Sequence, residues 1–174
     1  LWAAIDPEDK TIIIYRELYQ KGLTGEALGD KITDLEMNEV KSIGGVLDTA
    51  AWSRTGYTGP TIGEILIQKG HKLRRADKNR LAGKIQIHEH LRQDRSTGRP
   101  RLQILSTCTN LIKELQSLPL SKSNPEDVDT HSSDHAYDAL RYMIMSRPKL
   151  DHPYDRMLQI KTRMYQPSDE TFGY

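Results

Sequence analysis

The stretch SDHAYDALRYMIM, residues 133–145, places an apolar helix next to two acidic side chains. Its apolar residues recur with the spacing of one helix face that packs on a core: Ala136, Ala139, Leu140, Met143 and Ile144. Asp134 and Asp138 are one helical turn apart, so their carboxylates lie on the same side of the helix and off the apolar stripe. The stretch therefore predicts a buried helix with two neighbouring carboxylates at its start.

Two interpretations of this aspartate pair remain open from spacing alone. In the first, Asp134 caps the helix and Asp138 pairs with Arg141 or Tyr142, and capping preferences favour it. In the second, a divalent cation neutralises two carboxylates that otherwise repel each other, and the positive helix N-terminus favours the charge on Asp134. The first interpretation is structural and the second is chemical.

Upstream of this helix, short β-branched runs alternate with amphipathic segments. Apolar runs at 1–5 and 11–18, joined by a turn, predict a β-hairpin. The other predicted strands lie at 43–47, around Leu73 and at 102–105. The predicted helices lie at 24–36, 61–70, 78–93 and 109–118. This order predicts an α/β domain with one mixed sheet, an antiparallel edge and parallel additions.

The last two segments carry little regular pattern. Residues 119–132 predict a polar, acidic loop in which Asp127 and Asp129 are solvated, and residues 148–174 predict an extended or disordered C-terminal tail. The globular domain is therefore predicted to end at residue 147.

Composition excludes some classes of protein and leaves nucleic-acid binding open. The 174 residues carry a formal net charge of +1, so any positively charged surface that binds DNA must be local. A single cysteine, Cys108, excludes an internal disulfide and a cysteine zinc cluster, and it fits a reducing compartment. No apolar run approaches the roughly 18 residues of a membrane span, so no membrane partner is expected.

A third acidic candidate lies at the end of a predicted strand. Asp48 follows the buried run Ile43-Gly44-Gly45-Val46-Leu47 and precedes a loop rich in glycine and threonine. This is the place where α/β folds hold ligands and active sites. The alternative is an aspartate that starts the loop and binds its own turn.

Two basic segments, residues 71–84 and 92–101, are candidates for contacts with DNA phosphates. Their candidate residues are Arg74, Arg75, Lys78, Arg80, Lys84, Arg99 and Arg101. The alternative is solvated surface charge, partly paired with Asp77, Asp94 and Glu89. His88 and His90 do not predict a metal site with Asp94, because residues two apart point to different helix faces.

SDHAYDALRYMIM closely resembles the last helix of the nuclease domain in the large terminase subunits of tailed bacteriophages. Other segments resemble the same family in the same order: LWAAIDPEDKTIIIYRELYQKGLT, GGVLDTAAWSRTGYTGPTIGEILIQKG, HKLRRADKNRLAGKIQIHEHL, PRLQILSTCTNLIKELQSL and NPEDVDTHSSDHAYDALRY. The resemblance covers residues 1–147, and DHAYDALRY is its most specific part.

The resemblance implies a ribonuclease H-like fold, an α/β architecture with a mixed sheet and helices on both faces. In that family the first strand carries the first catalytic acid and lies upstream of LWAAI. The resemblance therefore implies that this chain lacks that strand and one metal ligand, and that Asp6 belongs to the hairpin turn instead.

The resemblance also implies an enzyme: a metal-dependent endonuclease that cuts concatemeric double-stranded DNA during phage genome packaging. Its Asp48, Asp134 and Asp138 would be catalytic and would hold two Mg²⁺ or Mn²⁺ ions, which activate a water and stabilise the leaving 3′ oxygen. The implied partners are double-stranded DNA, the portal and procapsid, the small terminase subunit and an N-terminal ATPase motor that is not in this chain. The implied location is the host bacterial cytoplasm.

Two alternatives stay open beside this one. A non-catalytic DNA- or capsid-docking module would use the basic segments, with structural acids and no metal requirement. A resolvase-type recombination nuclease on the same fold would prefer branched DNA to linear duplex.

Overall fold

A computed structural model describes residues 1–40, 43–54, 59–95, 97–117, 119 and 134–146. Its strands are β1 Trp2–Ile5, β2 Ile12–Arg16, β3 Gly44–Leu47, β4 Lys72–Arg75 and β5 Leu102–Ile104. Its α-helices are α1 Gly25–Glu36, α2 Ile62–Gln68, α3 Arg80–Leu91, α4 Thr109–Ser117 and α5 His135–Met145, and a 3₁₀ turn spans Thr49–Trp52. The predicted tail and all but residue 119 of the predicted loop 119–132 lie outside the described residues, as do Asp127 and Asp129.

The α/β class and the order of elements are as predicted. Strands β1 and β2 form the antiparallel hairpin, with Ile5 opposite Ile12, and β5 adds parallel to β2. Strand β4 adds parallel to β3. The prediction of one sheet was wrong for the described part of the chain, because β1-β2-β5 and β3-β4 form two separate sheets.

A cleft of about 920 Å³ lies where the two sheets fail to meet. Edge strand β1 lines it with Trp2 and Ala3, and β3 lines it with residues 44–47. Helix α1 contributes Leu28 and Ile32, and α5 contributes Ala139 and Met143. Strands β1 and β3 therefore border the same cleft instead of pairing with each other.

Helix α5 buries its predicted apolar face in the main core. Ala136, Leu140 and Ile144 belong to a buried cluster with Ile14 of β2 and Ile87 of α3. The other two predicted stripe residues, Ala139 and Met143, are only partly buried and face the cleft. None of the helices in the described ranges is both long enough and apolar enough to span a membrane.

Local capping explains where most helices begin. Thr24 caps α1, and Thr61 and Glu64 form a reciprocal capping box at the start of α2, as their spacing indicates. Helix α3 begins two residues later than predicted, because the Asn79 side chain accepts a hydrogen bond from the backbone N–H of Ala82. These starts are decided by residues adjacent to the helix.

Glutamates from other elements cap the last two helices. The Glu17 carboxylate, after β2, accepts the backbone N–H groups of Asn110 and Leu111 at the start of α4. Burial acts to raise the pKa of Glu17, but these hydrogen bonds outweigh it and hold the pKa below its ordinary value. The buried Glu114 of α4 then accepts the backbone N–H groups of Ala136 and Tyr137 of α5, at 2.8 and 2.9 Å.

Replacing Glu114 with Ala is expected to lower the free energy of unfolding by about 2 kcal/mol, because hydrogen bonds to a charged group contribute about 1.5–3 kcal/mol. The substitution strands two buried N–H groups and removes the acceptor of the Tyr19 hydroxyl, 3.1 Å away. Urea unfolding measures the loss. Glu114→Gln keeps an acceptor of the same size and is expected to lose less than half as much, and equal losses would show that a neutral acceptor cannot replace the carboxylate.

Candidate functional site

Asp48 directly follows strand β3 and is the N-cap of the 3₁₀ turn. One oxygen of its carboxylate, Oδ1, accepts the backbone N–H of Ala50 at 2.7 Å, so Asp48 does bind its own turn. The other oxygen, Oδ2, accepts a 2.5 Å hydrogen bond from the hydroxyl of Tyr142. The turn interpretation is therefore right, but it accounts for only half of the carboxylate.

The Tyr142 hydroxyl brings Asp48 and Asp138 together. It donates its one proton to Asp48 Oδ2 and lies 3.4 Å from Asp138 Oδ2. Burial, the hydrogen bond to Asp48 and the negative charges of both acids raise the pKa of Tyr142. The hydroxyl therefore stays protonated at neutral pH and separates two carboxylates that lie far apart in the sequence.

Asp138 is held from its other side by Arg141. The Arg141 Nη2 and Nε groups donate to Asp138 Oδ1 at 2.7 and 3.2 Å, and Nη1 donates to the Lys78 carbonyl oxygen at 3.2 Å. The Arg141 side chain is 2% exposed. It passes Gly83 so closely that a Cβ there would lie 2.3 Å from Arg141 Cγ, which explains a glycine inside α3. This pairing is the one that the structural interpretation predicted.

Asp134 occupies the N-cap position of α5 but does not act as a cap. Its carboxylate makes no capping hydrogen bond in the described structure, because Glu114 already accepts the N–H groups of the first turn. Burial and then the charge of Asp138 raise the pKa of Asp134, while Arg80, 4.0 Å away, acts in the opposite direction. The capping prediction for Asp134 was therefore wrong, and a buried acid is left beside a second acid.

Asp134→Asn is expected to raise the melting temperature at neutral pH. The folded protein holds the Asp134 proton more tightly than the unfolded chain does, so ionising Asp134 as the pH rises through its raised pKa costs stability. Asparagine carries no charge, so the gain should disappear below about pH 4, the ordinary pKa of aspartate. Thermal unfolding at several pH values measures this, and a variant that is less stable at pH 7 would contradict the burial argument.

Lys78 is the nearest described cation to Asp48. Its Nζ lies 3.3 Å from Asp48 Oδ1, with side chains 50% and 36% exposed. Burial acts to raise the pKa of Asp48, but the hydrogen bonds from Ala50, Tyr142 and Lys78 outweigh it and lower the pKa. Asp48 is thus ionised at neutral pH. Its surroundings contain the positive charge of Lys78 and the negative charge of Asp138.

The basic candidates differ in their pairing with acids and in their exposure to solvent. Lys78 and Arg80 pair with Asp48 and Asp134, and Arg101 pairs with Asp94 at 2.5 Å as the surface-charge interpretation predicted. Arg74, Arg75 and Arg99 are exposed, and Lys84 is half-buried. Arg74 donates to the Ser146 carbonyl oxygen, and the Arg75 guanidinium lies over the Trp52 ring, 5.5 Å from its centroid.

The histidines of α3 do not form a metal centre. His90 is buried and its Nδ1 lies 2.7 Å from the Gln86 carbonyl oxygen, whereas His88 is exposed. Across the described ranges, no three side chains of His, Cys, Asp or Glu converge closely enough to hold a metal ion by themselves. Any metal site among these residues would therefore have at most two such ligands.

Asp48 and Asp138 match the chemistry of such a two-ligand site. Both present hard carboxylate oxygens to the position of the Tyr142 hydroxyl. Mg²⁺ commonly binds proteins through one or two carboxylates and completes its shell with waters and substrate phosphates. The pair therefore has the ligand type that Mg²⁺ or Mn²⁺ takes, and the charge of Asp138 contributes to the raised pKa of Asp134.

Sequence reasoning missed the central position of Tyr142 and the role of Glu114. The i, i+4 spacing of Asp138 and Tyr142 signalled their contact, but no local signal joins Tyr142 to Asp48, 94 residues away. Comparison with known proteins found no matching family model, no matching curated protein and no matching solved structure.

Proposed function

We propose that this chain is a ribonuclease H-like, metal-dependent endonuclease domain of the phage terminase large-subunit type. Its substrate is concatemeric double-stranded DNA, which it cuts during genome packaging in the host bacterial cytoplasm. The observation that carries the proposal is the convergence of Asp48 and Asp138 on the Tyr142 hydroxyl. Acids of different elements that meet in one partly buried site are typical of catalytic centres.

In this proposal Asp48 and Asp138 hold the metal, and Asp134 is a neighbouring acid whose pKa the charge of Asp138 helps to raise. Bound divalent ions supply an activated water and stabilise the charge on the leaving 3′ oxygen of a phosphodiester. The protein's own contribution is positional. Arg141 fixes Asp138, and the Asp48 backbone is fixed by its turn, so that both carboxylates face the same point.

The basic strand supports DNA as the substrate class. In the register of β3 and β4, Leu47 lies opposite Arg75 and Val46 opposite Arg74, so the strand that precedes Asp48 has an exposed arginine beside it on each face of the sheet. Arginine side chains bind DNA phosphates by charge without reading sequence. The remaining partners in this proposal are the portal and procapsid, the small terminase subunit and an ATPase motor domain.

The cleft supports the ribonuclease H-like architecture. The cleft has a volume of about 920 Å³ and is bordered by β1 and β3, which are strands of two different sheets. In the proposed fold, a further strand between β1 and β3 would join the two sheets.

The proposal is tested by measuring Mn²⁺ binding to the purified chain by calorimetry and nicking of supercoiled plasmid in the same buffer. Mn²⁺ binding at a defined stoichiometry, with nicking that EDTA abolishes, is the expected result. Branched and linear duplexes compared in the same assay separate a terminase from a resolvase. A chain that binds DNA but binds no Mn²⁺ contradicts the metal-dependent endonuclease.

A DNA- or capsid-docking module is the second candidate, and one observation favours it. Each acid already has a protein cation beside it: Lys78 for Asp48, Arg80 for Asp134 and Arg141 for Asp138. In that case the acids only hold the fold. Salt-dependent DNA binding that is identical with and without Mn²⁺ would support this candidate.

A further inference from the structure

A basic turn, formed by residues 92–95 and 97–101, follows helix α3. Its backbone is held by its own hydrogen bonds, since the Asp94 N–H donates to the Arg99 carbonyl oxygen at 3.0 Å. The Gly98 N–H donates to the Asp94 carbonyl oxygen at 2.8 Å, and the φ of 68° at Gly98 is one that glycine adopts without strain. The turn therefore presents its side chains from a fixed backbone.

The arginines of the basic turn differ in their partners. Arg101 donates from Nε and Nη2 to Asp94 Oδ2 at 2.8 and 2.5 Å, so the charges of these two side chains neutralise each other. Arg92, Arg95 and Arg99 are exposed, and within the described ranges none of their guanidinium groups has a carboxylate within 4.0 Å. The turn therefore presents three positive charges to solvent that no described acid neutralises.

We propose that Arg92, Arg95 and Arg99 bind the phosphate backbone of duplex DNA at a second position, separate from the acid cluster. This inference rests on the proposed function for its substrate, and it adds a surface that holds the duplex at a distance from the acids. Arg101 is not part of this surface, because Asp94 already binds its guanidinium group.

The composition of the basic turn favours a nucleic-acid backbone over a protein partner. Protein interfaces are usually centred on aromatic or other large anchors that fill pockets. Apart from its arginines, the described turn contains only Gln93, Asp94, Thr97, Gly98 and Pro100, none of which is aromatic. A guanidinium group can donate two parallel hydrogen bonds to one phosphate, and it does so without reading base sequence.

Helix α3 sets the distance between the basic turn and the acid cluster. The helix begins at Arg80, whose guanidinium group lies 4.0 Å from Asp134, and it ends at Leu91, directly before the turn. Its 12 residues span about 18 Å at 1.5 Å per residue. Successive base pairs are about 3.4 Å apart along the duplex, so about five base pairs cover this length. A single duplex can therefore contact both places.

The test measures binding of a labelled linear duplex, roughly three times this length, at several salt concentrations. EDTA is present throughout, so neither metal nor cleavage contributes to the result. The slope of log K against log salt should become shallower by about 1.8 in Arg95→Gln/Arg99→Gln, which removes two phosphate contacts, and by about 2.7 when Arg92→Gln is added. Two duplexes of unrelated sequence should give the same slopes, because phosphate contacts carry no sequence information.

A matched control separates the basic turn from the net charge of the protein. Lys21→Gln/Lys113→Gln also removes two positive charges, from exposed lysines before α1 and in α4, and it should bind DNA with the wild-type slope. Arg95→Lys/Arg99→Lys keeps both charges and should retain most of the slope. Thermal unfolding checks that each variant folds, which is expected because all the replaced side chains are exposed.

The outcomes separate this inference from the proposed function. An unchanged slope in both arginine variants, or an equal change in the lysine control, overturns the DNA surface and leaves the nuclease to be judged by Mn²⁺ binding and nicking. If wild type neither binds Mn²⁺ nor nicks plasmid but the slopes change as expected, the nuclease proposal fails and the surface stands. If poly-L-glutamate displaces the labelled duplex as well as unlabelled duplex does at equal charge, the turn binds polyanions in general and its assignment to DNA is overturned.

Discussion

Asp48→Asn is expected to weaken Mn²⁺ binding by at least about 100-fold, since even the outer partners of metal ligands cost 10–100-fold when they are removed. Metal-dependent plasmid nicking should fall in proportion. Asparagine keeps a carbonyl oxygen that can accept from Ala50 or Tyr142, so the turn after β3 is retained and the principal loss is the negative charge. Calorimetry and the nicking assay measure the two effects on the same preparation.

A matched aspartate controls for the change in net charge. Asp34 is exposed on α1, so Asp34→Asn removes one negative charge at a position outside the acid cluster. That variant should bind Mn²⁺ and nick plasmid as wild type does. If Asp48→Asn also retains both properties, Asp48 is only a turn residue and the site assignment is wrong.

Arg141→Met is expected to lower the free energy of unfolding by about 3 kcal/mol, the lower end of the cost of breaking a buried ion pair, because Asp138 keeps some contact with solvent. The methionine fills part of the space beside Gly83, so the loss comes mainly from the unpaired Asp138 charge and the stranded Lys78 carbonyl. Urea unfolding measures it, and a loss of this size is a large share of the 5–15 kcal/mol typical of a domain.

The double variant Arg141→Met/Asp138→Asn identifies the source of that loss. Removing the charge of Asp138 as well should recover about half of the lost stability, because a neutral amide costs less to leave without a cation. No recovery in the double variant would show that Arg141 stabilises the domain through packing alone. The comparison therefore distinguishes an electrostatic clamp from a space-filling side chain.

Local signals in the sequence predicted most of the secondary structure. The hairpin follows from two β-branched runs around a turn, and Thr24 and Thr61 fixed two helix starts because capping needs only residues in the first turn. The apolar spacing of residues 136–144 predicted the buried face of α5 for the same reason. Each of these features depends on a few neighbouring residues.

Long-range contacts could not be predicted in this way. Asp134 has the residue type and position of a cap, yet Glu114 of another helix takes that role. The division into two sheets depends on what pairs with β1 and β3, and neither strand's own residues specify it. Asp48 and Tyr142 are also far apart in the sequence, so no periodic pattern of residues indicates their contact.

The pairing of charges at the candidate site could likewise be predicted only where the partners are close in the sequence. Spacing predicted that Asp138 would meet Arg141 or Tyr142, and it meets both. Spacing did not predict that Lys78 and Arg80, expected as DNA contacts, would lie against Asp48 and Asp134. Charge balance across elements is a property of the folded chain, because it depends on which strand and helix ends meet.

Anomalous diffraction from a crystal of the chain soaked in MnCl₂ tests the metal site most directly. We expect a manganese peak bonded to carboxylate oxygens of both Asp48 and Asp138, with the Tyr142 hydroxyl displaced from between them. A second peak about 3.5–4 Å from the first would match a two-ion nuclease. A crystal with no manganese at these carboxylates, and with the Tyr142 hydroxyl still bound to Asp48, would contradict the proposed metal site.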